Sequence, residues 1–191
     1  MASHVALLHS ITIGNERRLV MADWRAMMEA IGLKQPRTLI ATGNAVFESE
    51  HATVRQLEKR LETAFEQVFG RHVDTIVKTR AHWRRLARSN PFPEQAERDP
   101  ARVAVRVMRK PLDDAVIEAL MPYATQGESL KLAEGHLWIH FEQDPARSRL
   151  VSQLTIRRLG AGTVRNWNTV RRLNEMIHQG DAIASTAALH P

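Results

Sequence analysis

The spacing of apolar residues along the first half of the chain predicts four strands and three helices. A nearly unbroken apolar run is typical of a buried strand, and apolar positions three and four residues apart indicate amphipathic helices. Gly43-Asn44 separates two short apolar runs and predicts a hairpin turn, because glycine adopts positive φ without steric cost. The predicted elements are a strand over Val5–Ile11, a helix over Met21–Ile31, strands over Thr38–Ala41 and Ala45–Ser49, a helix over Val54–Val68, a strand over Val73–Val77 and a basic helix over Arg80–Arg88.

The second half repeats this order of patterns. Glu134-Gly135 again lies between two short apolar runs and predicts a second hairpin. The predicted elements are a strand over Val103–Met108, a helix over Asp113–Tyr123, hairpin strands over Leu130–Ala133 and His136–Phe141, a helix over Ser148–Leu159, a strand over Thr163–Asn166 and a final helix over Asn168–His178.

Each half therefore has the order strand–helix–strand–strand–helix–strand, followed by an additional helix. This is the order of the split βαβ unit. We predict an α+β fold with an internal duplication, made of two tandem ferredoxin-like (βαββαβ) repeats, each followed by an additional helix. Residues 1–89 are expected to form the first repeat and its basic helix, and 102–178 the second repeat and its C-terminal helix. A proline-rich break predicts a linker over 90–101, and 179–191 are expected to be a flexible tail.

Composition narrows the class of protein. The chain has 191 residues, of which 43% are apolar and 25% charged, and it has no cysteine. A core is therefore within reach, whereas a disulfide scaffold, a cysteine zinc site and a thiol nucleophile are excluded. No run of about 18 apolar residues occurs, and the N-terminus lacks the pattern of a signal peptide. We expect a cytoplasmic protein without a membrane segment.

The basic residues are concentrated in two stretches. The formal net charge is +6 with a pI near 10.4. Residues 80–88 hold four arginines and no acidic residue, and residues 145–191 hold seven arginines against Glu175 and Asp181. A basic protein of this kind suits nucleic acid or small anions as partners.

The segment from Arg165 to Arg172 is the most distinctive in the chain. Asn168 or Thr169 is expected to cap the following helix, and Trp167 to anchor the turn in the core. The arginines would then surround a helix start, where free N–H groups also attract anions. One interpretation is a phosphate or carboxylate pocket, and the other is a rigid capped turn whose arginines are solvated or paired. The candidate ligand-binding residues are Asn44, Arg147, Ser148, Arg165, Asn166, Trp167, Asn168, Thr169 and Arg172.

Alternation in the strand His136–Phe141 places His136, Trp138 and His140 on one face. Such an aromatic stripe on an open sheet face can stack RNA bases, and it can equally form an interface between repeats or subunits. The two histidines lie about 13 Å apart in a strand, too far to share a metal ion. We predict no metal site and no cofactor.

Several motifs resemble those of a known family. The segment Arg165–Val170 reads RNWNTV, which matches the most specific motif of the domain of unknown function 1697 family, a bacterial family of small cytosolic proteins. The resemblance covers about residues 5–178, and the first loop, 9–15, departs from it. The remaining matches are MADWR at Met21–Arg25, TGNAVF at Thr42–Phe47, NPF at Asn90–Phe92 and ARSRL at Ala146–Leu150. The resemblance implies ferredoxin-like repeats and no particular substrate, because the family has no established activity.

Three functions are compatible with these patterns. The first is an anion-binding module for nucleic acid or a phosphorylated metabolite, built on the arginine-rich C-terminal segment. The second is an enzyme acting on a small anionic metabolite at the cleft between the repeats, and the third is a homodimeric interaction protein. In the enzyme, Asn44 and Asn168 would orient the substrate, Arg147 and Arg165 would clamp it, and His9 or His140 would act as acid–base. The sequence identifies no catalytic residue, so enzymatic activity stays open.

Overall fold

The computed structural model describes residues 1–10, 12–13, 17–39 and 43–187, and its secondary structure is α+β. These residues form two four-stranded antiparallel sheets, one two-stranded sheet and seven α-helices. The predicted α+β class is confirmed. No helix in the described part of the chain is long and apolar enough to cross a membrane.

The chain divides into two compact units. One consists of residues 1–84 together with 172–191, and the other of residues 85–171. The elements up to the boundary at Arg84 are β1 (Ala2–Leu8), β2 (Thr12–Ile13), β3 (Arg17–Arg18), α1 (Met21–Ala30), β4 (Lys34–Leu39), β5 (Asn44–Ser49), α2 (Val54–Phe69) and β6 (Thr75–Thr79). The next helix, α3 (Arg80–Arg88), crosses this boundary.

The four-stranded sheet of the first unit has the order β4-β5-β1-β6. Its core lies where α1 and α2 pack on the sheet, and the largest buried side chains there include Trp24, Phe47 and Phe65. A capping box at Thr53 and Gln56 starts α2, and Gly70 ends it at a φ of +71°. The predicted hairpin is present, because β4 and β5 pair as antiparallel neighbours. Its turn is not the predicted Gly43-Asn44 pair, because Asn44 is the first residue of β5 and pairs with Leu39, and residues 40–42 lie outside the described residues.

The second unit has its own sheet, in the order β10-β7-β9-β8. Short 3-10 helices cover Met121–Tyr123, Pro145–Arg147 and Val151–Gln153. The longer elements are α4 (Pro93–Arg98), β7 (Val103–Met108), α5 (Ala115–Leu120), β8 (Ser129–Ala133), β9 (His136–His140), α6 (Ile156–Leu159), β10 (Gly162–Asn166) and α7 (Trp167–Ala187).

The helix predicted over Ser148–Leu159 is wrong over most of its length, because only its last turn is α-helical. The carbonyl of Leu154 accepts a hydrogen bond from Arg106 Nη1 at 2.6 Å, which takes it away from a helical ladder. Thr155 then caps a new helix, its Oγ1 accepting from the backbone N–H of Arg158 at 3.2 Å. The buried side chain of Arg106 thus holds the backbone at Leu154 out of a helix, directly before α6.

The observed boundaries also differ from the predicted domain division. The segment 90–101, predicted as a linker, contains α4, and Phe92 and Ala96 are buried there. The helix α7 runs through Ala187, although a tail was predicted from 179. All of α7 from Arg172 onward belongs to the first unit, where Arg37 Nη2 donates to the carbonyl of Met176 at 2.7 Å. The loop 9–15 is described only in part, because Ile11, 14 and 15 lie outside the described residues.

His4 is a buried histidine in the core of the first unit. Its side chain is 3% exposed, and its ring stacks on Phe47 with centroids 5.4 Å apart. Desolvation by burial lowers the pKa of His4 below the ordinary value of 6.5. The folded protein therefore keeps His4 neutral at a pH where the unfolded chain protonates it.

We expect this difference to make the fold less stable in mild acid. Below about pH 6.5 the unfolded state binds more protons than the folded state, so the free energy of unfolding falls with pH. Urea unfolding at pH 7.5 and 5.5 measures the loss, which should be smaller in His4→Phe than in the unaltered protein. The exposed His178→Gln serves as the control and should keep the full loss. An equal loss in His4→Phe would contradict the prediction.

Candidate functional site

Five of the predicted site residues, Arg165 to Thr169, form the junction between β10 and α7. Asn166 is the residue that caps the helix: its Oδ1 accepts from the backbone N–H and from the hydroxyl of Thr169, each at 3.0 Å. The prediction that Asn168 or Thr169 is the cap is wrong, because the helix already begins at Trp167. The N–H groups of this first turn are thus partly satisfied by the protein itself.

Arg165 and Trp167 are both half-buried, and each has contacts within the second unit. The Nη1 of Arg165 donates to Thr163 Oγ1 at 2.7 Å and to the carbonyl of Val164 at 2.8 Å. Desolvation by burial lowers the pKa of Arg165 to about 10. The ring of Trp167 lies 5.9 Å from that of Trp138, tilted by 55°. This indole contact holds the turn against the sheet, as the sequence predicts.

The aromatic stripe on β9 is not an open platform. Trp138 is 0% exposed and packs against Trp167, and His136 accepts a hydrogen bond from the backbone N–H of Met108 at 3.2 Å. His140 lies 6.0 Å from the ring of Phe92. Two of the three side chains are therefore covered, which argues against the alternative in which this face stacks RNA bases.

A cleft of about 310 Å³ lies beside Trp167 within the second unit. It is formed where the end of α3, the Asn-Pro-Phe segment, α4 and the start of α7 meet. The lining includes two arginines, one from α3 and one from α7, and one acidic residue from α4. The lining residues include Arg88, Asn90, Pro93, Glu97, Trp167 and Arg171.

Asn90 is held in place at the wall of this cleft. Its Oδ1 accepts from the backbone N–H of Phe92 at 2.9 Å. Its Nδ2 is buried, and no hydrogen-bond acceptor for it is present among the described residues. Phe92 is 3% exposed and carries the Lys131 ammonium 4.9 Å above its ring. A buried donor without a partner is costly, and it belongs to a residue that lines the cleft.

Of the predicted site residues, Trp167 is among those that line this cleft, and the others are not. Ser148 is buried, and its hydroxyl donates to the carboxylate of Glu128. Burial raises the pKa of Glu128, but hydrogen bonds from Ser148 and from the N–H of Gln126 outweigh it and leave the pKa lowered. Arg147 lies in a 3-10 helix and is exposed. Ser148 therefore has a structural partner.

Asn44 and Arg172 belong to the first unit. Asn44 is fully buried in β5, and its Nδ2 donates to the carbonyl of Leu39 at 3.4 Å. Arg172 is exposed on α7. Neither residue lines the cleft of the second unit.

One group of metal-ligand types lies close together in the described residues. A ligand atom from each of Glu62, His72 and Asp74 lies within 4.8 Å of the other two. His72 also lies 4.0 Å from carboxylate oxygens of Glu66 and of Asp74, and it is 53% exposed. These side chains could hold a divalent cation, and their ion pairs equally explain the group as a surface charge network.

The sequence did not identify three residues of the cleft, Arg88, Asn90 and Glu97, as candidate ligand-binding residues, and it indicated Arg171 only as one of the arginines around the start of α7. Arg88 was recognised only as part of a basic helix, and Asn90 only as part of a break in the pattern. The available signal was a basic helix without an acidic residue of its own, next to an Asn-Pro-Phe break. Their position beside Trp167 depends on tertiary contacts, which periodicity does not report.

The capping role of Asn166 gives a direct prediction. Asn166→Ala is expected to lower the free energy of unfolding by about 1 kcal/mol, because the first turn of α7 loses its side-chain acceptor. Asn168→Ala, which removes only a contact of 3.4 Å with Arg171, should change it by less than half as much. Urea unfolding of both variants measures the difference. Equal effects would show that Asn166 is not the cap.

A family model of known proteins matches residues 1–138, and its description is "Protein of unknown function (DUF1697)". The chain belongs to this family. The match confirms the family that the motifs indicate, although the motifs at Ala146–Leu150 and Arg165–Val170 lie outside the matched residues. No curated protein matches the chain in sequence.

A solved structure is similar in fold. It is described as the conserved bacterial protein SP0830 from Streptococcus pneumoniae, with 23% sequence identity and a TM-score of 0.71. The comparison covers 92% of this chain and 98% of the other. At this identity the likeness concerns the fold alone.

Proposed function

We propose that this DUF1697 protein consists of two ferredoxin-like repeats, and that it works in the bacterial cytoplasm. Counted within each half, the strands have the same order, 2-3-1-4 in the first sheet and its reverse, 4-1-3-2, in the second. The helices α1 and α2 in the first half, and α5 and α6 in the second, lie at the corresponding places along the chain. Duplication of one unit accounts for both features.

We propose that the cleft beside Trp167 binds a small anionic ligand. The observation that carries this proposal is the presence of two guanidinium groups, Arg88 and Arg171, in one cleft with a buried amide donor on Asn90. Guanidinium groups present several N–H donors in a plane and match phosphate and carboxylate oxygens. The single acidic residue of the lining, Glu97, leaves the cleft with a net positive charge.

A small molecule suits the cleft better than a nucleic acid does. A volume of about 310 Å³ falls at the lower end of the range for small-molecule sites, roughly 300–1,000 Å³. Two of the three side chains of the aromatic stripe on β9, His136 and Trp138, are buried and unavailable for stacking a series of bases. The enzyme and homodimer alternatives have no observation among the described residues that favours them, and they stay predictions.

Calorimetric titration with ribose 5-phosphate at low salt tests the proposal. We expect Arg88→Gln/Arg171→Gln to weaken binding by about 10- to 100-fold, because charged hydrogen bonds to the ligand are lost. Arg149→Gln/Arg157→Gln removes the same charge from exposed residues outside the cleft and should leave the affinity within about twofold.

Two results would contradict the proposal. One is the absence of binding at low salt, where charge attraction is strongest. The other is an equal loss in both double variants, which would indicate general charge attraction. A parallel titration with short single-stranded RNA separates the partners: tight binding with a steep salt dependence would favour nucleic acid instead.

A further inference from the structure

The side chains around the cleft differ in chemistry more than a simple anion requires. Two cations, Arg88 and Arg171, suit a phosphate group. The lining also contains an indole ring, Trp167, and a carboxylate, Glu97, which would not improve the binding of a bare phosphate. The additional groups therefore indicate the rest of the ligand.

We infer that the ligand of this cleft is a nucleoside monophosphate, an inference that rests on the proposed binding of an anion there. Trp167 is half-buried, and its neighbours in the lining, Pro93 and Ala96, are apolar. An aromatic ring beside an apolar wall provides a place for a flat heterocycle, because every nucleobase has a face that stacks on aromatic side chains. The contact between Trp167 and Trp138 fixes the indole in advance of binding.

Glu97 and Asn90 suit the polar groups of a nucleoside. A carboxylate accepts hydrogen bonds from the hydroxyls of a ribose, as it does in dinucleotide-binding folds. In the described part of the chain no ion pair of 4.0 Å or less joins Glu97 to Arg88 or Arg171, so its carboxylate is not neutralised by them. The buried Nδ2 of Asn90 is a donor for a ring nitrogen or a carbonyl of the base.

The size of the cleft limits the ligand to one nucleotide. At about 310 Å³ it lies at the lower end of small-molecule sites. A dinucleotide or an oligonucleotide would extend beyond the residues that line it. The phosphate of a monophosphate carries up to two negative charges, which the two arginines match.

Calorimetric titration with adenosine monophosphate, ribose 5-phosphate and adenosine tests the inference. Stacking of a base corresponds to about 5- to 150-fold in affinity, so the nucleotide should bind at least about fivefold more tightly than the sugar phosphate. Trp167→Leu should bring the nucleotide down to the level of the sugar phosphate. Trp167→Phe keeps an aromatic ring and should retain a preference for the nucleotide, and it controls for a loss of folding.

The outcomes separate this inference from the proposed function. If ribose 5-phosphate and the nucleotide bind equally, the inference is overturned and anion binding stands. If adenosine binds as tightly as the nucleotide and Arg88→Gln/Arg171→Gln has no effect, anion binding fails and so does the inference that rests on it. If none of the three binds, both are overturned. A nucleotide preference lost in Trp167→Leu and kept in Trp167→Phe supports the inference.

Discussion

Replacing Arg106 with methionine is expected to lower the free energy of unfolding by about 2–5 kcal/mol. The side chain is 1% exposed in β7, and it donates to two backbone carbonyls, those of Leu154 at 2.6 Å and Gly160 at 3.1 Å. The buried carbonyl of Leu154, left without this donor, costs roughly 1–3 kcal/mol, and the loss of the partly buried hydrogen bond to Gly160 adds to it. Desolvation by burial lowers the pKa of Arg106 to about 10. Replacing the charged side chain removes this desolvation cost, which offsets part of the loss in stability.

The measurement is urea unfolding followed by circular dichroism, with Arg157→Met as the matched control. Arg157 is exposed on α6, and its replacement changes the same charge and volume. We expect the control to stay within about 0.5 kcal/mol of the unaltered protein. If Arg106→Met unfolds at the same urea concentration as the control, the buried guanidinium does not hold the segment before α6 in place.

Replacing Gly135 with alanine is expected to cost about 2–5 kcal/mol. The glycine has a φ of +72° in the turn between β8 and β9, a conformation that costs an L-residue about 1–2 kcal/mol. A Cβ built there would lie 2.6 Å from Pro111 Cβ and 3.0 Å from Pro111 Cα. Because the neighbour includes backbone, the clash requires the chain to move and adds about 1–3 kcal/mol.

Gly70→Ala separates the two causes. Gly70 ends α2 at a φ of +71°, almost the same as at Gly135, but a Cβ there would meet no atom within 4 Å. Thermal or urea unfolding should therefore show a smaller loss for Gly70→Ala, close to the conformational term alone. Equal losses would show that contact with Pro111 adds nothing, which would contradict the structure of this turn.

Local patterns in the sequence were enough to predict much of the fold. Gly43 and Gly135 indicated the two hairpins because glycine adopts positive φ without steric cost, although the first turn does not include Asn44 as predicted. The α+β class followed from the spacing of apolar residues, which has one period in strands and another in helices because one face of each element is buried. Both are local features, and the structure confirms them.

The parts that could not be predicted depend on contacts between distant residues. The break before α6 depends on Arg106, which is 48 residues from Leu154, and nothing in the nearly continuous apolar strand that contains Arg106 indicates such a partner. The cap of α7 was misplaced by two to three residues, because Asn166, Asn168 and Thr169 are all suitable cap residues. The cleft joins Arg88 and Asn90 to Trp167, and only tertiary structure brings them to one wall.

The most direct test of anion binding at this cleft follows the indole N–H resonances of the four tryptophans during titration with ribose 5-phosphate. Trp24, Trp83 and Trp138 are fully buried, whereas Trp167 is half-buried and lines the cleft. The Trp167→Phe variant assigns its resonance. We predict a saturable shift that is largest for Trp167 and is reduced in Arg88→Gln/Arg171→Gln. A Trp167 resonance that does not move while the ligand binds would place the anion elsewhere and contradict the proposed site.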